Sequence, residues 1–195
     1  MKKLLITGFE PFGEEQINPS WEALKLLSDK ISGYEIHKLL LPVTFGDAAQ
    51  MVIDEADKIH PDVIISVGQA GGRDAITPEL VGINLRNASI PDNCGHKPID
   101  ETIILNGADA HFSNLPVRKI VDMINEKGIS SKVSYSAGAY VCNDVLYTLL
   151  AHYKDSDVMI GFIHVPYCKE QNKEPSMSLK DIADALTIAI ESINL

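Results

Sequence analysis

Hydrophobic residues in this chain form short continuous runs rather than a strict alternation with polar residues. Five such runs predict strands: Leu4–Thr7, Ile36–Leu41, Val63–Val67, Val133–Tyr135 and Val158–Ile163. Continuous apolar runs of this length are typical of parallel strands that are covered on both faces. The pattern therefore predicts a parallel sheet buried between two layers of other elements.

Amphipathic segments with helix signals lie between these runs. Asn18–Pro19 predicts the start of a helix that ends at about Leu27, and Thr44 with Asp47 predicts one that ends at about His60. Asn114 and Pro116 predict the start of a third helix, which ends at Gly128. Ser178 with Asp181 predicts the start of the last helix. Each start signal places a side chain that accepts hydrogen bonds, or a proline, at the first helical turn. The apolar face of the last segment comprises Ile182, Leu186, Ala189, Ile190 and Ile193.

The alternation of strands and helices predicts one α/β domain over residues 1–195, a twisted sheet between helix layers. The interval from Gln69 to Asn114 breaks this rhythm. We expect a β-hairpin or an excursion there, around Val81–Leu85 and Ile103–Leu105.

Composition and charge limit the kinds of binding partner that are expected. Of the 195 residues, 45% are hydrophobic and 23% charged, which is ordinary for a globular domain. The net charge is −10, from 27 acidic and 17 basic side chains, and the only adjacent basic pairs are Lys2–Lys3 and Arg118–Lys119. Nucleic acid and anionic membrane surfaces are therefore not expected as partners.

The three cysteines are sparse, and no two have the CxxC spacing, so a secreted disulfide framework is not expected. The apolar stretch near the N-terminus ends at Gly8, too early for the core of a signal peptide. No run approaches the roughly 18 apolar residues of a membrane span. We expect a cytoplasmic protein whose thiols stay reduced.

Candidate chemistry follows the carboxyl ends of the predicted strands, where ligands bind in open α/β sheets. Glu79 follows the strand at Val63–Val67 and its glycine-rich turn, whereas Cys142 and His164 follow the last two predicted strands. A cysteine, a histidine and a carboxylate are what thiol-based acyl transfer needs. The sequence therefore predicts that these three side chains meet at one edge of the sheet.

The segment Cys142–Tyr153 predicts a helix that is entered from a turn at Gly138. A cysteine in the first turn of a helix lies at the positive end of the backbone dipole, which lowers a thiol pKa. The free backbone N–H groups of such a turn also suit an oxyanion. We therefore expect Cys142 to be a reactive thiol.

Each of these residues also has an ordinary structural explanation. Cys142 and Cys168 fit small core residues, His164 a satisfied strand end, and Glu79 a solvated loop acid. The turn Gly68–Arg73 lacks the spacing of established phosphate loops. A metal shared by His164 and Cys168 would lack further ligands, so no metal site is predicted. None of these explanations predicts that the residues cluster at one edge.

Several motifs point further, and they occur in order from Thr7 to Tyr167: TGFEPFG, INPSWEA, VGQAGGR with ITPE, IPDN, PID, SAGAYVCN and GFIHVPY. Together they resemble the pyroglutamyl peptidase I family of cysteine peptidases, also called pyrrolidone carboxyl peptidases. The resemblance implies a single-domain three-layer α/β/α sandwich with a mostly parallel central sheet. It also implies a homotetramer and no metal or organic cofactor.

By this resemblance the nucleophile is Cys142, the general base is His164 and the orienting carboxylate is Glu79. The implied pocket residues are aromatic, amide and aliphatic: Phe9, Phe12, Asn18, Gln69, Ile90, Tyr140 and Val141. The implied reaction removes pyroglutamate from the N-terminus of peptides through a thioester acyl-enzyme. A flat uncharged lactam suits apolar walls with a few amide groups, whereas a charged amine would find no carboxylate partner there.

Two positions depart from the family pattern. Leu80 follows the glutamate where the family usually has arginine, and Ser89 also stands where arginine is usual. Arg86 lies three residues before Ser89 and is therefore a candidate oxyanion helper. The alternatives to the peptidase are a nucleoside phosphorylase-like enzyme, with phosphate at Gly68–Arg73, and a non-catalytic or weakly active binder of pyroglutamyl N-termini.

Overall fold

Strands and helices alternate through most of the computed structural model, which describes residues 1–193. The strands are β1 (Lys2–Phe9), β2 (Lys30–Ile31), β3 (Tyr34–Leu41), β4 (Val63–Gln69), β5 (Thr77–Pro78), β6 (Val81–Ile83), β7 (Ala110–Phe112), β8 (Met159–Val165), β9 (Tyr167–Cys168) and β10 (Ser176–Met177). The helices are α1 (Pro19–Lys25), α2 (Asp47–Ile59), α3 (Val117–Glu126), α4 (Val141–His152) and α5 (Leu179–Ile193), with a 3₁₀ turn at Lys169–Gln171.

The central sheet has six strands in the order β2-β3-β1-β4-β8-β5. The inner pairs β3–β1, β1–β4 and β4–β8 are parallel, whereas the edge strands β2 and β5 are antiparallel to their neighbours. Four of the predicted strands are thus confirmed, as β1, β3, β4 and β8. The predicted α/β class with a mostly parallel sheet is confirmed as well.

Alternate residues of the inner strands face two different cores. Leu4 and Ile6 of β1 pack in a core with residues of α1, α3 and α5. Leu5, between them, packs in a second core with residues of α2 and α4. Burial on both faces explains why these strands read as continuous apolar runs. The helices therefore form two layers around the sheet, as the three-layer prediction requires.

One strand prediction is wrong, and the hairpin expected around Val81–Leu85 forms with a different partner. Val133–Tyr135 forms no strand; it is joined to the edge of the sheet by an isolated bridge between Glu79 and Ser134. Ile103–Leu105 also forms none, because β6 pairs with β7 instead. Leu105 is 83% exposed, so its apolar side chain marks no buried strand face.

The helix starts follow the predictions at both ends of the chain but differ in the middle. Asn18 caps α1 by accepting a hydrogen bond from the Ser20 backbone N–H at 3.1 Å, and Ser178 accepts one from the Asp181 N–H at 3.1 Å. Thr44 does not cap α2, whose N-cap is Gly46 at φ 78°.

The third predicted start, Asn114, is bound to β8 rather than to a helix. Its side chain contacts the backbone of Val158 and Ile160, and α3 begins after Pro116. Gly128, at φ 80°, follows the end of α3, where a left-handed residue is favoured. Within residues 1–193, no helix is long and apolar enough to cross a bilayer.

Candidate active site

Cys142 lies in the first turn of α4, against the carboxyl end of β4. The helix has Tyr140 as its N-cap, and no side chain among residues 1–193 caps it. A Cβ atom added to Gly68 would lie 2.8 Å from Cys142 Sγ and 2.8 Å from the ring of Phe162. Only glycine at position 68 therefore lets the sulfur approach the sheet this closely.

His164 lies beside this contact on the neighbouring strand. The parallel register of β4 and β8 pairs Gly68 with His164. The imidazole is 4% exposed, and its ring packs against Phe162 with centroids 4.8 Å apart. The thiol and the imidazole therefore lie at one edge of the sheet, although the segment before Cys142 that was predicted as a strand forms none.

Glu79 completes the group from the antiparallel edge strand. It directly follows β5, where its backbone N–H donates to the Phe162 carbonyl at 2.8 Å. Its carboxylate is fully buried, and Oε1 lies 2.7 Å from His164 Nδ1. A carboxylate only accepts hydrogen bonds, so Nδ1 must carry the proton and Nε2 is left as the basic nitrogen.

Arg73 is a part of this group that the sequence analysis did not assign. Its Nη1 donates to Glu79 Oε1 at 2.7 Å and to Thr77 Oγ1 at 2.6 Å, and its Nη2 donates to the Ser136 carbonyl at 3.1 Å. The arginine is therefore committed to the glutamate, so the turn Gly68–Arg73 offers no free arginine to a phosphate. This arrangement speaks against the phosphorylase-like alternative.

The charge state of Glu79 follows from these neighbours. Burial of the carboxyl group opposes its ionisation, but hydrogen bonds and charge from His164, with help from Ser134 and Arg73, outweigh burial and hold the pKa of Glu79 below its usual value. Glu79 is therefore an anion at neutral pH. It is suited to stabilise an imidazolium beside it.

The expected lowering of the Cys142 pKa is wrong for this structure. Burial raises the pKa of the thiol to about 12, and the negative charge of Glu79 adds to the rise, while Arg73 opposes it. Burial likewise lowers the pKa of His164, although Glu79 opposes that shift. The resting pair is therefore a neutral thiol beside a neutral imidazole. A thiolate at Cys142 would therefore have to form during a reaction rather than exist beforehand.

A small cavity opens next to Cys142. Six of the seven predicted pocket residues line it together with Cys142 and Val43: Phe9, Phe12, Asn18, Gln69, Tyr140 and Val141. Val43 was not predicted, since it lies just after β3 outside the quoted motifs. The rings of Phe12 and Tyr140 stand 6.3 Å apart. The cavity thus has apolar walls and two amide side chains.

Ile90 is the predicted pocket residue that the structure does not bring to this cavity. It is 45% exposed, on a loop that is tied to the site by a hydrogen bond from Tyr140 Oη to the Pro91 carbonyl at 2.9 Å. Asn18 does line the cavity, but its amide is engaged in capping α1 and in a bond to the Glu10 carbonyl. Gln69 is therefore the amide with the most hydrogen-bonding capacity left for a ligand.

The structure gives Arg86 a different task from the predicted oxyanion helper. Its Nε donates to Asp144 Oδ1 at 2.6 Å, and the Asp144 carboxylate is fully buried in α4. A buried charge needs a partner, so Arg86 serves as the counter-ion of this aspartate. Of the two departures from the family pattern, Leu80 packs against the core and Ser89 is exposed.

Comparison with known proteins identifies the family. A family model described as pyroglutamyl peptidase matches residues 2–194. The chain belongs to the pyroglutamyl peptidase family. It is 46% identical to the pyrrolidone-carboxylate peptidase of Clostridium perfringens, over 99% of this chain and 93% of that protein. It is 45% identical to the one from Lactobacillus helveticus, over 97% and 98%.

Solved structures agree with this family assignment. The crystal structure of pyroglutamyl peptidase I from Bacillus amyloliquefaciens superposes with a TM-score of 0.96 and 43% sequence identity, covering 100% of this chain and 95% of that one. A mutant pyrrolidone carboxyl peptidase from Pyrococcus furiosus gives a TM-score of 0.93 at 42% identity, covering 98% of each chain. The resemblance found in the motifs is thereby confirmed.

Proposed function

We propose that this pyroglutamyl peptidase family member hydrolyses the bond after an N-terminal pyroglutamyl residue with Cys142 as nucleophile, His164 as general base and Glu79 as orienting carboxylate. The observation that carries the proposal is the contact geometry at the sheet edge. The sulfur lies over Gly68, whose strand neighbour His164 is bonded to Glu79 at 2.7 Å. The small cavity described above opens beside the same sulfur.

The first chemical step forms the acyl-enzyme. His164 Nε2 takes the thiol proton as Cys142 Sγ bonds to the pyroglutamyl carbonyl carbon, and the carbonyl electrons move onto oxygen. The backbone N–H groups in the first turn of α4 lack side-chain caps and suit this oxyanion. The imidazolium then gives its proton to the leaving amine as the carbon–nitrogen bond breaks, which leaves a thioester.

The second step reverses these roles. A water molecule attacks the thioester carbonyl while His164 Nε2 takes one of its protons, and the carbon–sulfur bond breaks. The proton returns to the sulfur, so pyroglutamate leaves and the neutral thiol–imidazole pair is restored. Glu79 stays ionised throughout and stabilises the imidazolium in both halves of the reaction.

Substrate choice should follow from the uncharged cavity. We expect turnover of a fluorogenic pyroglutamyl amide and little or none of the alanyl, glutaminyl or prolyl amides, because their charged amines would be buried without a partner. The measurement is kcat/KM across this panel with one preparation of enzyme. Comparable values for alanyl and pyroglutamyl amides would contradict the proposed pocket.

The pH dependence should report the neutral imidazole. Burial lowers the pKa of His164 from 6.5, so the base is fully available at pH 7 and is lost only as the pH falls through that lowered value. We therefore expect kcat/KM to hold steady around neutral pH, with an acid limb whose midpoint lies below 6.5. A midpoint above this value would contradict the lowered pKa of His164.

The proposal extends to assembly and location. The cytoplasm fits three cysteines that are all free among the described residues. A homotetramer is proposed from the family resemblance alone. Light scattering of the purified protein would give its mass, and fractionation of the native cells would give its location.

A further inference from the structure

Gln69 is held at the cavity by a chain of hydrogen bonds that reaches the far side of the site. Gln171, in the 3₁₀ turn after β9, donates from Nε2 to Gln69 Oε1 at 2.8 Å. The same Nε2 donates to Glu15 Oε2 at 2.9 Å, and the Cys168 backbone N–H donates to Gln171 Oε1 at 3.0 Å. Glu15 is also paired with Lys173.

The chemistry of these partners fixes which way each amide faces. A backbone N–H only donates, so the Gln171 atom facing Cys168 must be oxygen. A carboxylate only accepts, so the atom facing Glu15 must be the NH₂ group. Gln171 therefore presents a donor to Gln69, and Gln69 must turn its oxygen towards Gln171.

The NH₂ group of Gln69 is then left for the cavity. Among residues 1–193, Gln69 Nε2 donates no hydrogen bond, whereas its oxygen accepts one from Gln171. The side chain lines the cavity next to Cys142. The chain of bonds thus makes the cavity wall a hydrogen-bond donor at this point.

We propose that Gln171, held by Glu15 and the Cys168 backbone, is a specificity-determining positioning residue that makes Gln69 a donor to the lactam carbonyl of the substrate. The inference rests on the proposed function. A lactam ring carries a carbonyl acceptor that a prolyl ring lacks. A site built to bond such a group rejects analogues without it, because its own polar atom is then left unpaired.

The test reverses the direction of the hydrogen bond between Gln171 and Gln69. In Gln171→Glu, the new carboxylate cannot donate to Gln69, so the Gln69 amide should turn its NH₂ group away from the cavity and leave oxygen facing the lactam oxygen. Gln171→Met removes the constraint without reversing it. Lys169→Met is the matched control, since Lys169 lies two residues away and its side chain is exposed.

Steady-state kinetics on a pyroglutamyl amide and inhibition by 2-pyrrolidone are the readouts. We expect Gln171→Glu to lose about 10- to 100-fold in kcat/KM, mostly through KM, and to weaken 2-pyrrolidone inhibition in parallel. Gln171→Met should show a smaller loss in the same direction, and Lys169→Met none. The alkylation rate of Cys142 without inhibitor should stay at the wild-type value, which a general structural collapse would not allow.

Two results separate failure of this inference from failure of the proposed function. The first result is an active wild-type enzyme together with two Gln171 variants whose KM and 2-pyrrolidone inhibition equal those of wild type. This result would overturn the role of Gln171 alone. An inactive wild-type enzyme would overturn the proposed function. In that case, protection of Cys142 from alkylation by 2-pyrrolidone still tests Gln171, because binding is then read without turnover.

Discussion

Replacing Cys142 with alanine should abolish hydrolysis of a pyroglutamyl amide while binding of the lactam survives. In the proposed mechanism the sulfur forms the bond to the substrate carbon, and removing a nucleophile of this kind costs on the order of 10⁴- to 10⁶-fold in turnover. The remaining wall of the cavity consists of other side chains, such as Phe9 and Gln69. Lactam affinity measured calorimetrically with 2-pyrrolidone should therefore change little.

The matched control for Cys142→Ala is Cys94→Ala, because Cys94 is exposed and far along the chain from the nucleophile. It should keep the wild-type rate and the wild-type affinity for 2-pyrrolidone. Turnover in Cys142→Ala within tenfold of wild type would falsify the assignment of the nucleophile. Loss of activity in Cys94→Ala instead would move the assignment to that thiol.

The predictions that hold rest on short-range patterns. Inner strands such as β1 and β4 are continuous apolar runs because both of their faces are buried. Burial on both faces excludes the alternation of polar and apolar residues that a half-exposed strand shows. The Asn18 cap spans only two residues, so its whole hydrogen-bonded unit is visible in the sequence. His164 and Glu79 lie at the end of a recognised strand or after its adjoining turn, whereas Cys142 follows a segment that forms no strand.

The predictions that fail depend on partners far away along the chain. The start of α2 is set by Gly46, whose N–H donates to Asp144, 98 residues later. Arg86 is likewise bound to Asp144, 58 residues later. Neither pairing leaves a trace in periodicity, and so the sequence points to Thr44 as the cap and leaves Arg86 as a candidate oxyanion helper.

The chemistry of the site also divides into features that short-range patterns indicate and features that depend on distant parts of the fold. Residue types and their order indicate a thiol, a base and a carboxylate, but the pKa of Cys142 is governed by burial, which is a property of the assembled fold. Arg73 and Gln171 act through side chains on irregular segments, where no periodic pattern shows their direction. Residue types therefore indicate candidate reacting groups more readily than the residues that hold them in place.

Replacing Glu79 with glutamine should cost at least about 10²-fold in kcat, and up to roughly 10⁴-fold, with a smaller change in KM. Glutamine retains an acceptor for His164 Nδ1, so the ring can keep its place at the sheet edge. What is lost is the negative charge that, in the proposed mechanism, stabilises the imidazolium in both steps. Arg73 loses its anionic partner as well, and its positive charge would then oppose a second cation beside it.

The pH profile distinguishes this loss from simple disorder of the site. Glu79 raises the pKa of His164 against the dominant effect of burial, so its removal should lower that pKa further and move the acid limb of kcat/KM to lower pH. Glu126→Gln is the matched control, because Glu126 is an exposed carboxylate at the end of α3. Its rate and profile should equal those of wild type. If Glu79→Gln turned over at the wild-type rate with an unmoved acid limb, the carboxylate would orient no base, and His164 would reach its tautomer without it.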